Sequence, residues 1–172
     1  AIINNGTFIY NSSANQILSA NISGSGDLTQ NGSGNLTLTA AGNNYSGNTT
    51  ISSGNLIVGN GTACGSLGSG TIIDNGTLIF NQPSAGSTFA GAITGSGNLT
   101  LTSGNLTLTN ANNSYSGRTT ITAGNLIIGG AGTLGNGSYA GNIVDGGSLI
   151  YNSSANQTLA GVISGAGTLV VN

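Results

Sequence analysis

The sequence repeats itself at long range, and this repetition limits its possible folds more than any other feature. Residues 97–129 read GNLTLTSGNLTLTNANNSYSGRTTITAGNLIIG, and residues 34–59 carry a shorter version, GNLTLTAAGNNYSGNTTISSGNLIVG. Tyr45 and Tyr115 hold the same place in the two stretches. A long, regular period is typical of proteins built by stacking similar structural units.

A second block shows how many units the chain contains. The segment INNGTFIYN at residues 3–11 returns as IDNGTLIFN at residues 73–81 and as VDGGSLIYN at residues 144–152. These returns predict one domain, residues 1–172, with internal long repeats at about 1–70, 71–141 and 142–172, the last of them partial.

A shorter period inside each unit predicts the fold. Apolar pairs such as Ile22/Leu28 recur in steps of about 20–22 residues, which is the length that three short strands and three turns need for one coil. Two longer steps, from Ile22 to Ile51 and from Ile93 to Ile121, predict two longer coils with added loops at residues 40–48 and 110–118. The strands alternate with period two, as in Leu36-Thr37-Leu38-Thr39, and no stretch has a helical period. We therefore expect an all-β fold, a parallel β-helix (β-solenoid) of about eight coils.

The low charge of the chain agrees with stacked strands. Only 2% of the residues are charged, histidine is absent and the formal net charge is −2. Equivalent side chains in a solenoid stack about 4.8 Å apart, so a column of like charges would repel itself, whereas columns of Asn, Ser or Thr can form hydrogen bonds. This charge gives no footprint for nucleic acid, and no apolar run approaches the roughly 20 residues that span a bilayer. We expect no nucleic-acid partner and no membrane span.

The sequence offers few groups for catalysis. The carboxylates are Asp27, Asp74 and Asp145, and the chain's one cation is Arg118. Asp74 and Asp145 hold equivalent positions three coils apart, about 14 Å, whereas paired glycosidase carboxylates lie about 5 to 9.5 Å apart. No histidine or lysine is present to activate a serine or the single thiol of Cys64. We predict that the chain is not an enzyme, holds no cofactor or metal, and uses its aspartates as turn residues in place of asparagine.

Two surface features are candidates for contact with a partner. If the leucines of the Gly-x-Leu strands point inward, the middle residues point outward and form one mostly apolar stripe: Ile9, Ile57, Ile79, Ile127, Ile150 and Val170. An exposed apolar stripe usually marks a contact surface, unless loops or neighbouring side chains cover it. The second feature is a pair of loops that we expect to protrude from the rod: Tyr45, Ser46, Gly47, Asn48, Tyr115, Ser116, Gly117 and Arg118.

The repeated residues resemble a known family. The succession Gly-Asn-Leu-Thr-Leu-Thr, then Asn-x-Tyr-Ser-Gly-x-Thr-Thr-Ile-x-x-Gly-x-Leu, then Ser/Thr-Leu-Gly is similar to the autotransporter-associated β-strand repeat, also called the passenger-associated transport repeat. The similar stretches are residues 43–59 and 112–129, continued at 66–68 and 133–135. The resemblance implies a right-handed parallel β-helix in a bacterial surface passenger, with repeats tied to export and folding. In this chain Asn often replaces Thr in the Gly-Thr-Leu element.

The two end coils carry apolar strands without a polar cap, at Ile2-Ile3 and at Leu169-Val170-Val171. Solenoids need caps because bare end coils expose core and unpaired backbone. Three explanations stay open at this point: end-to-end stacking into a fibre, further repeats outside these residues, and fraying.

Taken together, these patterns predict a structural bacterial protein that is extracellular or on the cell surface. We expect a β-helical scaffold or adhesin segment that associates with itself or with a host or cell-surface partner. A self-assembling fibre subunit is the alternative within this class, and a carbohydrate-binding solenoid is the alternative of another class. Tyr10, Phe80 and Tyr151 share the parity of the inward leucines, so we expect them in the core rather than in a sugar-binding cleft.

Overall fold

The computed structural model describes residues 1–84 and 86–172. It contains one short 3-10 helix at Gly135–Gly137 and 22 β-strands. In chain order the strands are β1 (Ile2–Ile3), β2 (Thr7–Tyr10), β3 (Gln16–Leu18), β4 (Ile22–Ser23), β5 (Asp27–Gln30), β6 (Asn35–Leu38), β7 (Thr49–Ile51), β8 (Asn55–Val58), β9 (Ile72–Asp74), β10 (Thr77–Asn81), β11 (Ser87–Phe89), β12 (Ile93–Thr94), β13 (Asn98–Ser103), β14 (Asn105–Leu108), β15 (Thr119–Ile121), β16 (Asn125–Gly130), β17 (Ser138–Tyr139), β18 (Ile143–Asp145), β19 (Ser148–Ser153), β20 (Thr158–Leu159), β21 (Ile163–Ser164) and β22 (Thr168–Val171).

The strands stack as a β-solenoid of about eight turns, which confirms the predicted fold class. Every strand pairing in the described residues is parallel, and the strands occupy three faces in rotation. The right hand of the predicted helix stays a prediction. Face 1 holds β1, β4, β11, β14, β16, β19 and β22; face 2 holds β2, β5, β7, β9, β12, β17 and β20; face 3 holds β3, β6, β8, β10, β13, β15, β18 and β21.

Three places on these faces carry no strand, although the chain follows the same path. Residues 43–45 and 66–68 take the place of a face 1 strand, because each lies between a face 3 strand and a face 2 strand. Residues 113–115 take the place of a face 2 strand, since the backbone N–H of Ser114 donates to the carbonyl of Ile93 in β12. The solenoid therefore keeps its three-sided coil even where the regular ladder stops.

The length of a coil can be read from the strand register. Phe8 pairs with Leu28, Leu28 with Thr49, and Thr49 with Ile72, so the strands of this face follow one another at nearly the predicted spacing. In the described ladders the shortest step leads from Ser87 to Leu106, and the longest leads from Thr119 to Ile143. The expectation of two longer coils was wrong, because no strand pairing in residues 1–84 and 86–172 makes a step as long as those that suggested them.

The apparent long steps arise because the long repeat is not a whole number of coils. It contains three coils and one additional face, so each repeat is turned by one face relative to the repeat before it. Ile9 lies on face 2, its equivalent Ile79 on face 3, and their equivalent Ile150 on face 1. Sequence pairs that look like one continuous column, such as Ile22 and Ile51, belong to neighbouring faces.

Leucine columns form the core. On face 3 the inward residues Leu36, Leu56, Leu78 and Leu99 stack in register and are at most 1% exposed. Complete burial of one leucine side chain contributes about 2 to 3 kcal/mol. Phe80 is buried, and Tyr10 and Tyr151 pack against the core, as their parity predicts.

Asparagines outside the core form the stacks that the low charge predicts. The side-chain amide of Asn55 donates to Oδ1 of Asn35 at 2.8 Å, and Asn125 donates to Asn105 in the same way, also at 2.8 Å. Each pair stands at the start of in-register strands. Neutral amides therefore link neighbouring coils where charged residues would repel one another.

Candidate functional site

The first corner of interest is the strandless segment on face 1, centred on Asn43. Its side chain replaces the missing ladder, because Oδ1 accepts the backbone N–H of Ile22 at 2.7 Å on the preceding coil. Its amide nitrogen donates to the carbonyl of Ala40 at 3.2 Å and to that of Ser66 at 2.8 Å on the following coil. One buried side chain thus joins three successive coils, and we call this arrangement the asparagine clamp.

Asn113 forms the second asparagine clamp, on face 2. Its Oδ1 accepts the backbone N–H of Ile93 at 3.0 Å, and its amide donates to the carbonyl of Asn110 at 2.8 Å and to that of Thr133 at 3.0 Å. Asn113 is 0% exposed and Asn43 is 7% exposed. A buried amide that satisfies three backbone groups in this way stabilises the coil strongly, because each group would otherwise be unpaired and dry.

The tyrosine two residues after each clamp points into the core. Tyr45 and Tyr115 are both 0% exposed. The hydroxyl of Tyr45 lies 2.6 Å from Oγ1 of Thr49, and that of Tyr115 lies 2.7 Å from Oγ1 of Thr119. Burial raises the pKa of the Tyr45 phenol, and burial, followed by the neighbouring Tyr139 phenol, raises the pKa of Tyr115 well above its ordinary value. Both phenols therefore remain neutral and serve as internal hydrogen-bonding groups.

These observations correct the expectation of protruding loops. Tyr45 and Tyr115 do not protrude, because their rings fill the core at places where no leucine-bearing strand is present. Of the remaining predicted loop residues, Ser46, Asn48, Ser116 and Arg118 are exposed, and Gly47 and Gly117 are half-buried. Their backbone is held against the preceding coil: the N–H groups of Ser46 and Ser116 donate to the carbonyls of Gly24 and Gly95, respectively. The segments are compact corners of the coil.

The predicted apolar stripe is divided among three faces. Ile9 lies on face 2 next to Thr29, whereas Ile57 and Ile79 pair with each other on face 3. Ile127, Ile150 and Val170 stack in register on face 1. The single stripe was therefore wrong, since the repeats are turned by one face and equivalent isoleucines cannot lie in one column.

Each of these outward side chains is nevertheless accessible. Ile9 is 59% exposed, and Ile57, Ile79, Ile127, Ile150 and Val170 are half-buried. Their flanking residues in the same columns are mainly threonine, for example Thr37 and Thr100 on face 3 and Thr107 on face 1. The outer surface is thus formed by uncharged β-branched side chains, with apolar pairs and triplets in place of one long stripe.

The aspartates also lie on different faces. Asp74 pairs with Ile51 on face 2, while Asp145 pairs with Ile121 on face 3, so their expected stacking three coils apart on one face is wrong. Each accepts a backbone N–H two residues later, from Gly76 and Gly147, at 3.0 Å. Asp27 is exposed and accepts the N–H of Asn48 at 2.7 Å. All three carboxylates act in turns or corners, as expected for residues that replace asparagine.

The remaining chemical groups are dispersed. Cys64 is exposed and free. Within the described residues no group of three or more His, Cys, Asp or Glu side chains is gathered as a metal site would require. No helix in the part of the chain that the structure describes is long and apolar enough to cross a lipid bilayer.

The clamp, the buried tyrosine and the threonine four residues after it occur together twice in the chain. A model of one known protein family matches both of these stretches. The family described as passenger-associated-transport-repeat matches residues 28–58 and 94–128. The chain is thus similar to this family at two stretches. The first match includes Asn43, Tyr45 and Thr49, and the second includes the equivalent clamp residues. No curated protein and no solved structure matches the chain.

The role of Asn43 and Asn113 was missed in the sequence analysis, although a signal was present. Both asparagines lie two residues before the tyrosine of the repeat and about one coil after Ile22 and Ile93, whose backbone they bind. A repeated polar residue that falls where a core leucine is due indicates a buried hydrogen-bonding group. The two matched stretches are therefore distinguished by buried hydrogen-bonding side chains and not by an exposed site.

Proposed function

We propose that this chain is a non-catalytic, rod-shaped scaffold segment of a bacterial surface protein, of the kind found in autotransporter passengers. The observation that carries the proposal is the coincidence of both passenger-associated-transport repeats with the two asparagine clamps. The repeats thus act on the backbone of neighbouring coils, which is the role of a structural element and not of a binding site.

The architecture suits a protein that folds as it emerges from a membrane. Each coil contacts its direct neighbours, so a solenoid can add coils one at a time to a folded template. A clamp that binds the coil before it and the coil after it favours this order. The low charge, 2% of residues, permits close stacking without repulsion between coils.

An extracellular location and an adhesive role form the finer part of the proposal. The outer faces present uncharged, flat rows of threonine and isoleucine, with accessible apolar groups at Ile57 and Ile79 on face 3 and at Ile127, Ile150 and Val170 on face 1. Such patches fit contact with a host or cell-surface partner, or with another copy of the chain.

Carbohydrate binding has less support. All eight aromatic residues belong to the described part of the chain, and each of them is buried or half-buried. Sugar-binding faces commonly need an accessible aromatic ring for stacking. The tyrosines and phenylalanines of this chain instead serve the core.

Display on bacterial cells tests the export and folding role. The chain would be placed outside a membrane-anchored carrier, and its surface accessibility would be measured by added protease and antibody. We expect Asn113→Ala to reduce display markedly and the exposed neighbour substitution Asn112→Ala to leave it unchanged. If Asn113→Ala destabilises the purified chain while display remains at the wild-type level, the proposed link between these repeats and export is contradicted.

Sedimentation of the purified chain separates the scaffold from the end-to-end fibre. The scaffold proposal expects the 16.6 kDa chain, alone or in a small assembly of fixed size, over a wide concentration range. Growth into long polymers with rising concentration, together with filaments in electron micrographs, would favour the fibre subunit instead.

A further inference from the structure

Asn4, Asp74 and Asp145 hold equivalent positions in the long repeats and form the same buried turn. Asn4 carries an amide where the other two carry a carboxyl group. Asn4 directly follows β1, while Asp74 and Asp145 are the last residues of β9 and β18, the first strands of their repeats. The three residues are 8%, 0% and 3% exposed. In each turn Oδ1 accepts the backbone N–H two residues later: 3.3 Å from Gly6, 3.0 Å from Gly76 and 3.0 Å from Gly147.

The next coil covers each turn with a glycine. A Cβ atom added to Gly26 would lie 2.8 Å from the Asn4 side chain, and one added to Gly97 would overlap Oδ1 of Asp74. The same substitution at Gly167 would make Cβ overlap the Asp145 carboxyl. The three side chains are therefore enclosed by the following coil in the same manner.

Asn4 shows what the second polar atom of this turn does. Its amide nitrogen donates to the backbone carbonyl of Asp27 on the following coil at 2.8 Å. The equivalent of Asp27 above Asp74 is Asn98, because Thr7 pairs with Asp27 and Thr77 pairs with Asn98 in the same register. At the position of the donating nitrogen, Asp74 carries an oxygen.

That oxygen, Oδ2 of Asp74, is the one carboxylate oxygen in the described residues that is both buried and without a hydrogen-bond partner. An ionised carboxylate has only acceptors, so it cannot donate to a carbonyl as the asparagine does. A protonated carboxyl regains one O–H donor in the place where Asn4 has its amide. Because a buried, unpartnered charge is costly, the neutral acid is the form that fits this turn.

We propose that Asp74 is an acid-strengthened link between coils: its protonated carboxyl donates to the carbonyl of Asn98, and its ionisation towards neutral pH weakens the stacking of these coils. At a pH below the ionisation of Asp74, the turn at Asp74 has the same hydrogen bonds as the turn at Asn4. Above it, the chain keeps a buried charge whose second oxygen has no partner.

Within residues 1–84 and 86–172, the elements packed against Asp74 contribute no charge that would reverse this behaviour. The neighbouring strands β7 and β12 consist of threonine and isoleucine. Asp74 interacts electrostatically with the buried phenol of Tyr115, which is neutral. Arg118 is exposed. Burial raises the pKa of Asp74 to about 6 from 3.8, although the hydrogen bond from the N–H group of Gly76 lowers it in part.

The sign of the effect follows from proton binding. Between pH 4 and 6 the folded state holds a proton on Asp74 that the unfolded state has lost, so stability decreases as the pH rises through this interval. A pKa difference of this size corresponds to roughly a hundredfold change in the folding equilibrium constant. The chain has no histidine and only three acidic side chains, so few other groups titrate in this window.

The test is the denaturant midpoint of the whole chain between pH 4 and 8. We expect the wild-type folding constant to fall by about a hundredfold over this range. Asp74→Asn should remove most of this dependence and be more stable than wild type at pH 7.5. Asp27→Asn removes the same formal charge from an exposed corner and should keep the wild-type pH profile.

Two results would overturn the proposal. One is an Asp74→Asn variant that keeps the wild-type pH dependence or is less stable than wild type at pH 7.5. The other comes from carboxyl carbon chemical shifts in NMR, which report the ionisation of each aspartate in the folded chain. A titration midpoint for Asp74 at or below that of an ordinary aspartate contradicts a neutral buried acid.

Discussion

The two asparagine clamps share their sequence but differ in what surrounds them. In the first, the ring of Tyr45 is covered by Gly68 of the next coil, where an added Cβ would lie 2.6 Å from the ring. In the second, Tyr115 packs on another tyrosine, Tyr139, with ring centroids 5.4 Å apart. Oγ1 of Thr119 also lies 2.7 Å from the hydroxyl of Tyr139, whereas Thr49 has no second tyrosine.

This difference shows how one repeat can serve on different faces. The clamp and the tyrosine-threonine pair depend on the local chain and on its direct backbone neighbours, so they are the same in both copies. The residue that closes the ring pocket comes from the following coil, and it is adapted to each site. The turn by one face between repeats therefore changes the neighbours without changing the motif.

Removing a clamp should lower the stability of the chain most. Asn113→Ala leaves three backbone groups without partners in a dry interior, and we expect it to lower the free energy of unfolding by about 4 kcal/mol. Asn43→Ala should cost about 3 kcal/mol, because that site is slightly more accessible to water. Urea denaturation of both variants measures the two losses. Asn112→Ala is the control, and a loss for Asn113→Ala as small as that of this exposed neighbour would refute the clamp.

The glycine that covers the first ring distinguishes the two corners. Gly68→Ala would make Cβ overlap the carbonyl oxygen of Tyr45, and we expect a loss of about 3 kcal/mol from overpacking. The residue at the corresponding point of the second repeat, Gly135, has φ of 56° and no contact closer than 3.3 Å. Gly135→Ala should therefore cost about 1 kcal/mol, the backbone penalty alone. Thermal unfolding of both variants checks the order, and equal losses would mean that the two corners are closed alike.

Removing the tyrosine hydroxyl should also cost more stability in the first corner than in the second. Tyr45→Phe leaves the buried Thr49 hydroxyl without its tyrosine partner, and we expect a loss of about 2 kcal/mol. Tyr115→Phe should cost about 1 kcal/mol, since Thr119 keeps its contact with Tyr139. A double-mutant cycle with Thr49→Val and Thr119→Val isolates each pair. A larger coupling in the second corner than in the first would contradict this assignment.

The outward isoleucines should matter least for folding. Threonine already occupies the same outward columns, at Thr100 beside Ile79 on face 3 and at Thr107 two positions from Ile150 on face 1. Ile79→Thr and Ile150→Thr should therefore each change stability by no more than about 0.5 kcal/mol. Their denaturation midpoints provide the measurement. If these variants unfold as easily as the clamp variants, the outer rows are part of the fold and not free for partner contact.

The sequence predicted the strands well because local alternation determines which side of a strand enters the core. The residues Leu36-Thr37-Leu38-Thr39 indicate both the strand and its inward side, and the structure places them so. The assignment of strands to faces could not be obtained in this way. Alternating Ile and Leu look the same on every face, so a step from Ile22 to Ile51 appears as one long coil although it leads to the next face.

The burial of the tyrosine side chains at the two corners could not be predicted from local sequence patterns either. Asn, Tyr, Ser and Gly in succession usually indicate an exposed turn, which led to the expectation that Tyr45 and Tyr115 protrude. Their burial depends on the absence of a leucine-bearing strand at that point of the coil, and this absence is a property of the stack. The aspartates were correctly predicted as turn residues because Asn4 supplies the equivalent position in the first repeat.

Disulfide formation can show whether each repeat is turned by one face relative to the repeat before it. In a Cys64→Ser background, Thr107→Cys with Ile127→Cys joins two residues that are paired in register on face 1. Thr100→Cys with Ile127→Cys joins residues that one continuous column would place side by side, although Thr100 pairs with Thr120 on face 3. Neighbouring parallel strands, about 4.8 Å apart, are within reach of a disulfide. We predict rapid cross-linking of the first pair and none of the second; cross-linking of the second pair in place of the first would contradict the account.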